Sequence, residues 1–232
     1  MFEDRLIRNG TTISPEERPL LKQEKVFIAG SGGLGGNILE MILRAGIGEV
    51  TIADPDVFDE SNLNRQILSR EDLMGYPKVK AAAQRAALVN SEVKLNALQE
   101  RVTAENALEL IADADIVMDA LDSAEARLVL EDAAEEAGIP MIHGAIAGWY
   151  GQVSTVFPGD RTMHSLYGET GSTEATAELG NPSFTPAVIA GIQVAEAVKV
   201  LLNKDGVLRN KLLYIDMLSH TYTTLDMIRS KA

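Results

Sequence analysis

The sequence predicts an α/β protein with a parallel sheet in its first half, antiparallel strands in its second half, and helices on both faces. Over residues 25–54, an apolar strand, a glycine-rich loop, a helix and a second strand follow one another. This order is the βαβ unit of a parallel sheet. Near the C-terminus, two strand-length segments, 211–216 and 221–226, lie a few residues apart. Together with the alternating segment 152–157, they indicate antiparallel strands.

Composition limits the classes of protein to consider. The chain has 232 residues, of which 46% are hydrophobic, so it can bury a large core, and we expect a single domain over residues 1–232. A net charge of −13 argues against a nucleic-acid partner, because such surfaces depend on Lys and Arg. With no cysteine, disulfides and zinc–thiolate sites are excluded. No apolar segment approaches the length of a membrane span, so we expect a cytoplasmic protein without a membrane partner.

The glycine-rich loop is the first candidate binding element. It reads Gly30-Ser31-Gly32-Gly33-Leu34-Gly35 and joins the strand of residues 25–29 to a helix. A strand that reverses into a helix while its N–H groups approach a phosphate leaves no room for a Cβ atom. Asp54 ends the second strand, where an acidic residue binds ribose hydroxyls in Rossmann-like folds. These features predict a nucleotide site without specifying the nucleotide.

Two cationic residues follow in unusual settings. The polar loop 55–66 carries Arg65 near its end, and ordinary dinucleotide-binding domains need no such loop. Pro77 then precedes Lys78 at the start of a helix with an apolar stripe over 79–87. Lysine is unfavourable at a helix N-terminus. Lys78 is therefore either a solvated charge or a phosphate ligand.

A second candidate region follows a buried strand at 116–118. Segments 93–97 and 105–112 precede it and read as a strand and a helix. The strand ends at residues 119–123, at the carboxyl edge where open α/β sheets bind ligands. Asp122 is thus a candidate metal or substrate ligand, or alternatively the N-cap of the helix that runs through 127–137.

Other segments give weaker signals. Residues 1–24 predict an arm lying on the body of the protein, with Arg5 and Arg8 as solvated charges on sequence alone. Residues 159–185 are rich in Gly, Ser, Thr and Glu without a sustained period, and predict a functional crossover or a disordered lid. An apolar helix follows at 186–202. The three histidines have no metal-site spacing and are predicted to be structural or exposed: His143, His164 and His220.

In this order, the motifs resemble those of the ThiF/MoeB/HesA adenylyltransferases, bacterial relatives of the ubiquitin-activating enzymes. The resemblance covers nearly the whole chain, including the arm at residues 5–9. A glycine loop alone would be weak support, whereas each further motif supplies a different part of one ATP site. The matching motifs are the glycine loop, Asp54-x-Asp56, Ser61-Asn62-Leu63-x-Arg65-Gln66, Pro77-Lys78 and Asp122 with the helical Arg127.

The resemblance implies a Rossmann-like ATP-binding fold and an enzyme. Its reaction would be adenylylation of the C-terminal glycine carboxylate of a small ubiquitin-like sulfur-carrier protein, which ends in Gly-Gly, with release of pyrophosphate. The implied cofactors are ATP and Mg²⁺, and the implied assembly is a homodimer. The resemblance assigns a role to each matching residue. The four loop glycines, Asp54 and Asp56 would bind the nucleotide, and Asn62, Arg65 and Lys78 would bind its phosphates. Asp122 would bind the Mg²⁺, and Arg8 would reach into the partner subunit's site.

The chain departs from the family pattern at its missing cysteines. Many relatives bind zinc through two Cys-x-x-Cys pairs, and here the positions near 163–167 and in the last strands hold none. A crossover cysteine is also missing from 168–185, and Ser123 stands where asparagine is usual. We therefore expect no zinc, and sulfur transfer on another protein.

Two alternatives use the same fold. An NAD-dependent oxidoreductase would use the glycine loop and Asp54 but leaves Arg65 and Lys78 unexplained. A non-catalytic nucleotide-binding scaffold is opposed by the joint presence of Arg65, Lys78 and Asp122. The motifs do not distinguish carriers of thiamine, molybdopterin, amino-acid or siderophore-type pathways.

Overall fold

A computed structural model describes residues 2–168 and 178–227. Its strands are β1 (Lys25–Ala29), β2 (Glu49–Ala53), β3 (Lys94–Leu98), β4 (Ile116–Asp119), β5 (Met141–Ala147), β6 (Tyr150–Val156), β7 (Lys211–Asp216) and β8 (Thr221–Asp226). They form one eight-stranded sheet in the order β3-β2-β1-β4-β5-β6-β7-β8. Pairs among β1 to β5 are parallel, and the pairs β5–β6, β6–β7 and β7–β8 are antiparallel. The predicted fold class is confirmed.

The helices cover both faces of this sheet. They are α1 (Phe2–Leu6), α2 (Arg18–Leu21), α3 (Gly33–Ala45), α4 (Lys78–Val89), α5 (Ala107–Ile111), α6 (Ala124–Ala137), α7 (Thr162–Tyr167) and α8 (Phe184–Leu201). Alternate side chains of β1 point to opposite faces. Val26 and Ile28 share a core cluster with residues of α3, α4 and α8, whereas Phe27 and Ala29 share one with residues of α5, α6 and α7.

The central strands bring three chain segments to one edge of the sheet. β1 lies between β2 and β4 and runs parallel to both, so all three carboxyl ends meet at the same edge. The chain order reverses at this point, because β2 and β3 continue to one side of β1 and β4 and β5 to the other. Ligands of open α/β sheets bind at such a switch point.

The segment predicted as a functional crossover or a disordered lid contains a helix at residues 162–167, which the sequence pattern did not predict. Helix α7 begins there because the carboxylate of Glu131, only 2% exposed, accepts the backbone N–H groups of Met163 at 2.8 Å and His164 at 3.0 Å. A cap supplied by a distant helix leaves no local pattern in the sequence. Residues 169–177 lie outside the described residues, and the lid prediction there stays a prediction.

Helix α8 corrects another expectation. It has 18 residues with a mean hydropathy of 1.4, so by length and composition it is apolar enough to cross a membrane. In this structure it packs against α3 and β5. Its buried Gln193 donates from Nε2 to the backbone oxygen of Asp119 at 2.8 Å, and its buried Glu196 accepts from Oγ1 of Thr155 at 2.6 Å. Polar contacts of this kind are typical of a core helix.

The N-terminal arm is anchored to the body. Leu6 is buried, and α1 contacts α3. Arg5, predicted as a solvated charge, is exposed but donates from Nη1 to Oδ1 of Asn90 at 2.8 Å. Arg8 lies in the following 3₁₀ turn, Ile7–Asn9, and is exposed.

Candidate active site

A cleft of about 580 Å³ opens at the switch point of the sheet. This volume is in the range of small-molecule sites. Within the described part of the chain, the cleft is lined by residues from the loops that follow β1, β2, β3 and β4, and from the first turns of α3, α4 and α6. It brings together all the sequence-predicted site residues except Arg8 and Gly35: Gly30, Gly32, Gly33, Asp54, Asp56, Asn62, Arg65, Lys78 and Asp122.

The glycine loop is shaped by backbone requirements. Gly30 has φ +99°, and a Cβ atom there would lie 2.7 Å from the carbonyl oxygen of Ala120. Gly35 does not line the cleft, and a Cβ on it would collide with the carbonyl of Gly30. Its role is therefore close packing of helix and loop. Gly32 is the N-cap of α3, so the unpaired N–H groups of that helix terminus are available to an anion in the cleft.

Asp54 ties the end of β2 to the glycine loop. Its side chain is buried, with the residue 6% exposed, and it accepts the N–H of Ser31 at 2.6 Å and the N–H of Asp56 at 2.8 Å. Burial raises the pKa of Asp54, while these hydrogen bonds and the charge of Lys78 act in the opposite direction. Each carboxylate oxygen has two acceptor sites, so the group keeps capacity for two hydroxyls of a ligand.

Two cations and an amide form another part of the cleft wall. Arg65 donates from Nη1 to the backbone oxygen of Ser61 at 2.9 Å. Lys78 begins α4 as predicted, is 6% exposed, and its Nζ lies 3.1 Å from Oδ2 of Asp56. Asn62 is buried and its Oδ1 accepts the N–H of Asp59 at 3.2 Å. The wall thus presents fixed positive charge, and Asp56 offsets the cost of a lysine at the N-terminus of α4.

Asp122 is not a helix cap, so that alternative is wrong. The N-cap of α6 is Ser123, whose Oγ accepts the N–H of Ala126 at 3.3 Å. Asp122 is exposed and lines the cleft. Among the described residues, no hydrogen bond or ion pair engages its carboxylate. It is therefore available to a ligand in the cleft.

We predict that Ser123→Ala lowers stability without removing the site. Loss of an N-cap hydroxyl costs about 1 kcal/mol of unfolding free energy, and Asp122 would still extend from the same turn. Urea denaturation would measure the loss. An unchanged midpoint would show that the Ser123 cap contributes no stability.

Sequence reasoning missed several residues of the cleft. Glu100, Arg101 and Val102 line it directly after β3, and their position after a strand of a parallel sheet was the signal that could have identified them. Arg127 also lines the cleft, although the sequence analysis assigned it no role beyond its place in a motif. It is 8% exposed and donates from Nη2 to the backbone oxygen of Leu121 at 2.7 Å.

The histidines agree with their predicted structural or exposed character. His143 is fully buried, and its Nδ1 lies 2.7 Å from Oδ2 of Asp119. Burial lowers the pKa of His143. His164 lies beside Glu131 with its Nδ1 at 2.6 Å from Oε2, and His220 is exposed in the turn after β7. Residues 2–168 and 178–227 hold no group of three or more His, Asp or Glu side chains placed to bind a metal ion.

Comparison with known proteins finds a matching family and relatives whose names agree with one another. The model of the ThiF family matches residues 4–232. The sulfur carrier protein ThiS adenylyltransferase of Bacillus subtilis is 41% identical over 198 residues, which cover 83% of this chain and 59% of that protein. The sulfur carrier protein adenylyltransferase of Thermus thermophilus is 34% identical over 229 residues, covering 94% of this chain and 84% of that protein.

A solved structure shares the fold. The crystal structure of E. coli MccB superposes with a TM-score of 0.82 at 22% identity, covering 98% of this chain and 70% of that one. At this identity the likeness concerns the fold alone. It extends over both the parallel and the antiparallel parts of the sheet.

Proposed function

The chain belongs to the ThiF family, and from that membership we propose that it adenylylates the C-terminal glycine carboxylate of a small ubiquitin-like sulfur-carrier protein, using ATP and releasing pyrophosphate. The names of two relatives, both sulfur-carrier adenylyltransferases, support this activity. The observation that carries the proposal is the single cleft that gathers the glycine loop, a buried carboxylate, two cations and an unengaged carboxylate.

ATP fits the chemistry of the cleft from one end to the other. The carboxylate of Asp54 would accept the ribose hydroxyls, and the glycine loop with the N-terminus of α3 would bind phosphate oxygens. The adenine would lie against the apolar side chains of the wall, among which are Val102, Leu121 and Val129. The triphosphate would then extend toward Arg65 and Lys78.

The reaction requires positioning and charge neutralisation, and no side-chain nucleophile. The carrier carboxylate oxygen attacks the α-phosphorus of ATP, the bond from that phosphorus to the bridging oxygen breaks, and pyrophosphate leaves with the electron pair. Negative charge therefore grows on the pyrophosphate. Arg65 and Lys78 would stabilise it because their cations are already fixed in the cleft wall. Asn62 would donate to a phosphate oxygen.

Mg²⁺ fits the residues present. It is commonly held by one or two carboxylates together with substrate phosphates, and the Asp122 carboxylate is exposed in the cleft without a protein partner among the described residues. When bound, Mg²⁺ would neutralise phosphate charge and help hold the triphosphate in a reactive conformation. Asp122 would be its protein ligand.

Lys78 has a partner that nucleotide binding would replace. Its Nζ lies 3.1 Å from Oδ2 of Asp56, whose side chain is 56% exposed. An exposed carboxylate makes a weak ion pair, so a phosphate oxygen would compete successfully for the ammonium group. Asp56 would hold Lys78 toward the cleft until ATP enters.

We predict that ATP with Mg²⁺ stabilises the folded protein, and that NAD does not. At an ATP concentration about 100 times its Kd, binding to the native state alone adds about 2.7 kcal/mol to the free energy of unfolding. For a chain of this size the Tm would rise by roughly 5 °C or more. Differential scanning fluorimetry with MgATP, NAD or neither measures this. Equal Tm values with and without millimolar MgATP would contradict ATP binding, and a rise with NAD alone would favour an oxidoreductase.

The reaction itself is tested by exchange of labelled pyrophosphate into ATP. Candidate carriers ending in Gly-Gly should support exchange, and the same carriers with a C-terminal amide should not, because the amide lacks the attacking carboxylate. Exchange that is independent of a carrier, or absent with every carrier encoded near this chain, would contradict the proposal.

We also propose that the active form is a homodimer in which Arg8 of each subunit completes the site of the other. Arg8 is exposed and does not line the cleft of its own chain. In an isologous dimer, the symmetric interface would place the arm of each subunit over the cleft of the other.

A further inference from the structure

The peptide groups on both sides of Leu121 are held by two charged side chains. The N–H of Leu121 donates to Oδ1 of Asp119 at 3.0 Å, and its carbonyl oxygen accepts from Nη2 of Arg127 at 2.7 Å. We call Asp119 and Arg127 the Leu121 clamp. Leu121 directly precedes Asp122, so the clamp fixes the backbone from which that carboxylate extends into the cleft.

Asp119 is a buried carboxylate with several partners. It is 0% exposed. Its Oδ2 lies 2.7 Å from Nδ1 of His143 and 3.5 Å from Nε of Arg127. The second distance is an ion pair without hydrogen-bond geometry, since Arg127 Nε has no hydrogen-bond partner among the described residues. The Nε2 of His143 lies 3.1 Å from the amide nitrogen of Gln152, which can only donate, so Nε2 is the acceptor and Nδ1 carries the proton that faces Asp119; burial, which lowers the pKa of His143, also favours this neutral form. Arg127 is then the cation that balances Asp119.

Arg127 is in turn held in place by a residue of helix α7. The ring centre of Tyr167, the last residue of α7, lies 5.2 Å from the guanidinium carbon of Arg127. The hydroxyl of Tyr167 accepts from Nε2 of Gln152 at 2.6 Å, which holds the ring in place. Arg127 therefore contacts Leu121, Asp119 and Tyr167, which come from two different parts of the chain.

Stability alone explains this arrangement poorly. Replacing a buried ion pair by apolar side chains of similar volume is often neutral or stabilising, because burying charge has a large desolvation cost. The two charged groups share one other feature, which is their hydrogen bonds to Leu121. Holding that residue is a function that an apolar pair would not provide.

We propose that Asp119 and Arg127 are positioning residues, which hold the turn at Leu121 so that Asp122 meets the Mg²⁺ of bound MgATP. This inference rests on the proposed function, because it assumes that MgATP occupies the cleft. Mutation of a residue that holds a metal ligand in its orientation typically changes metal affinity by about 10-fold to 100-fold. The Leu121 clamp should therefore set the Mg²⁺ dependence of nucleotide binding.

The test measures the Mg²⁺ concentration that gives half of the maximal ATP-induced rise in Tm. It requires no carrier and no catalysis. Arg127→Met and Asp119→Asn should each raise this concentration by about tenfold or more. Arg127→Lys keeps the charge but lacks the guanidinium fork that reaches both Leu121 and Asp119, and should give a smaller increase in the same direction. Excess Mg²⁺ should restore the rise in Tm in all three variants.

Asp160→Asn is the matched control. Asp160 is also a buried carboxylate paired with an arginine, Arg209, at 3.0 Å, and neither residue lines the cleft. This variant should lower the Tm in the absence of ligand and leave the half-saturating Mg²⁺ concentration unchanged. If breaking a buried ion pair acted only through stability, Asp119→Asn and Asp160→Asn would have the same effect on the half-saturating Mg²⁺ concentration.

The outcomes separate the clamp from the proposed function. If MgATP does not stabilise the wild-type protein, the proposed function fails and the inference with it. If the wild type responds but the folded variants keep its half-saturating Mg²⁺ concentration within about twofold, well below the roughly tenfold change expected when a residue that orients a metal ligand is lost, the clamp alone is overturned. Should Arg127→Met not fold, the two conservative variants, Arg127→Lys and Asp119→Asn, decide the question by the same measurement.

Discussion

Asp122→Ala is expected to abolish carrier adenylylation and to leave the fold intact. The carboxylate lines the cleft and is exposed, while the cap of α6 belongs to Ser123. Its loss therefore removes a ligand for Mg²⁺ without removing a structural contact. Deleting one group that stabilises transition-state charge lowers the rate by about 100-fold to 1,000-fold, and loss of metal binding would add to this. Pyrophosphate exchange gives the rate, and a thermal melt without ligand gives the stability.

Glu125→Ala is the control for this variant. Glu125 is an exposed carboxylate that lines the same cleft, in the first turn of α6. If only the local negative charge mattered, both variants would lose activity equally. We expect Glu125→Ala to retain most of its exchange activity. An Asp122→Ala protein that exchanges pyrophosphate at the wild-type rate would remove Asp122 from the site.

Arg8→Ala is expected to lower adenylylation by about 1,000-fold or more, the effect of an arginine that stabilises phosphoryl transfer from a neighbouring subunit. Arg8 lies on an arm whose Leu6 is buried against the body, so the arm has a fixed position. Its guanidinium is outside the cleft of its own chain. Arg5→Ala is the matched control, because Arg5 lies on the same arm but donates to Asn90 within the chain. That variant should remain active.

Mixing two inactive variants tests whether Arg8 acts across the dimer. In a heterodimer of Arg8→Ala and Asp122→Ala chains, one of the two sites has a wild-type Asp122 from one chain and a wild-type Arg8 from the other. Subunit exchange should therefore restore activity. A mixture that stays inactive after exchange has been confirmed, or an active monomer, would show that Arg8 does not act in trans.

The sequence predicted the fold well where local patterns carry the information. The bounds of β1, β7 and β8 agree with the segments expected from apolar runs and alternation, because a parallel strand buried on both faces is a continuous apolar run and an antiparallel strand can alternate. The glycine loop was equally local, since Gly30 has a positive φ of +99° that glycine adopts readily. Asp54 followed from its place at the end of a strand.

The features that the sequence did not reveal depend on residues far apart in the chain. Helix α7 begins where Glu131, more than 30 residues earlier, caps it. The Leu121 clamp joins Asp119 on β4 to Arg127 on α6, and His143 on β5 contacts Asp119. None of these contacts follows from a periodic pattern. The choice between cap and ligand for Asp122 was open for a different reason, because Asp122 and Ser123 are adjacent and both are common capping residues.

The central claim is that this chain transfers AMP to the C-terminal carboxylate of a ubiquitin-like carrier, and intact mass spectrometry of the carrier tests it most directly. After incubation with the protein, ATP and Mg²⁺, in the presence of pyrophosphatase, the carrier should gain the mass of one AMP group. A carrier with a C-terminal amide should gain nothing, and hydroxylamine should convert the adduct to a hydroxamate, as expected for an acyl adenylate. A carrier that keeps its original mass while MgATP demonstrably binds to the protein would contradict the claim.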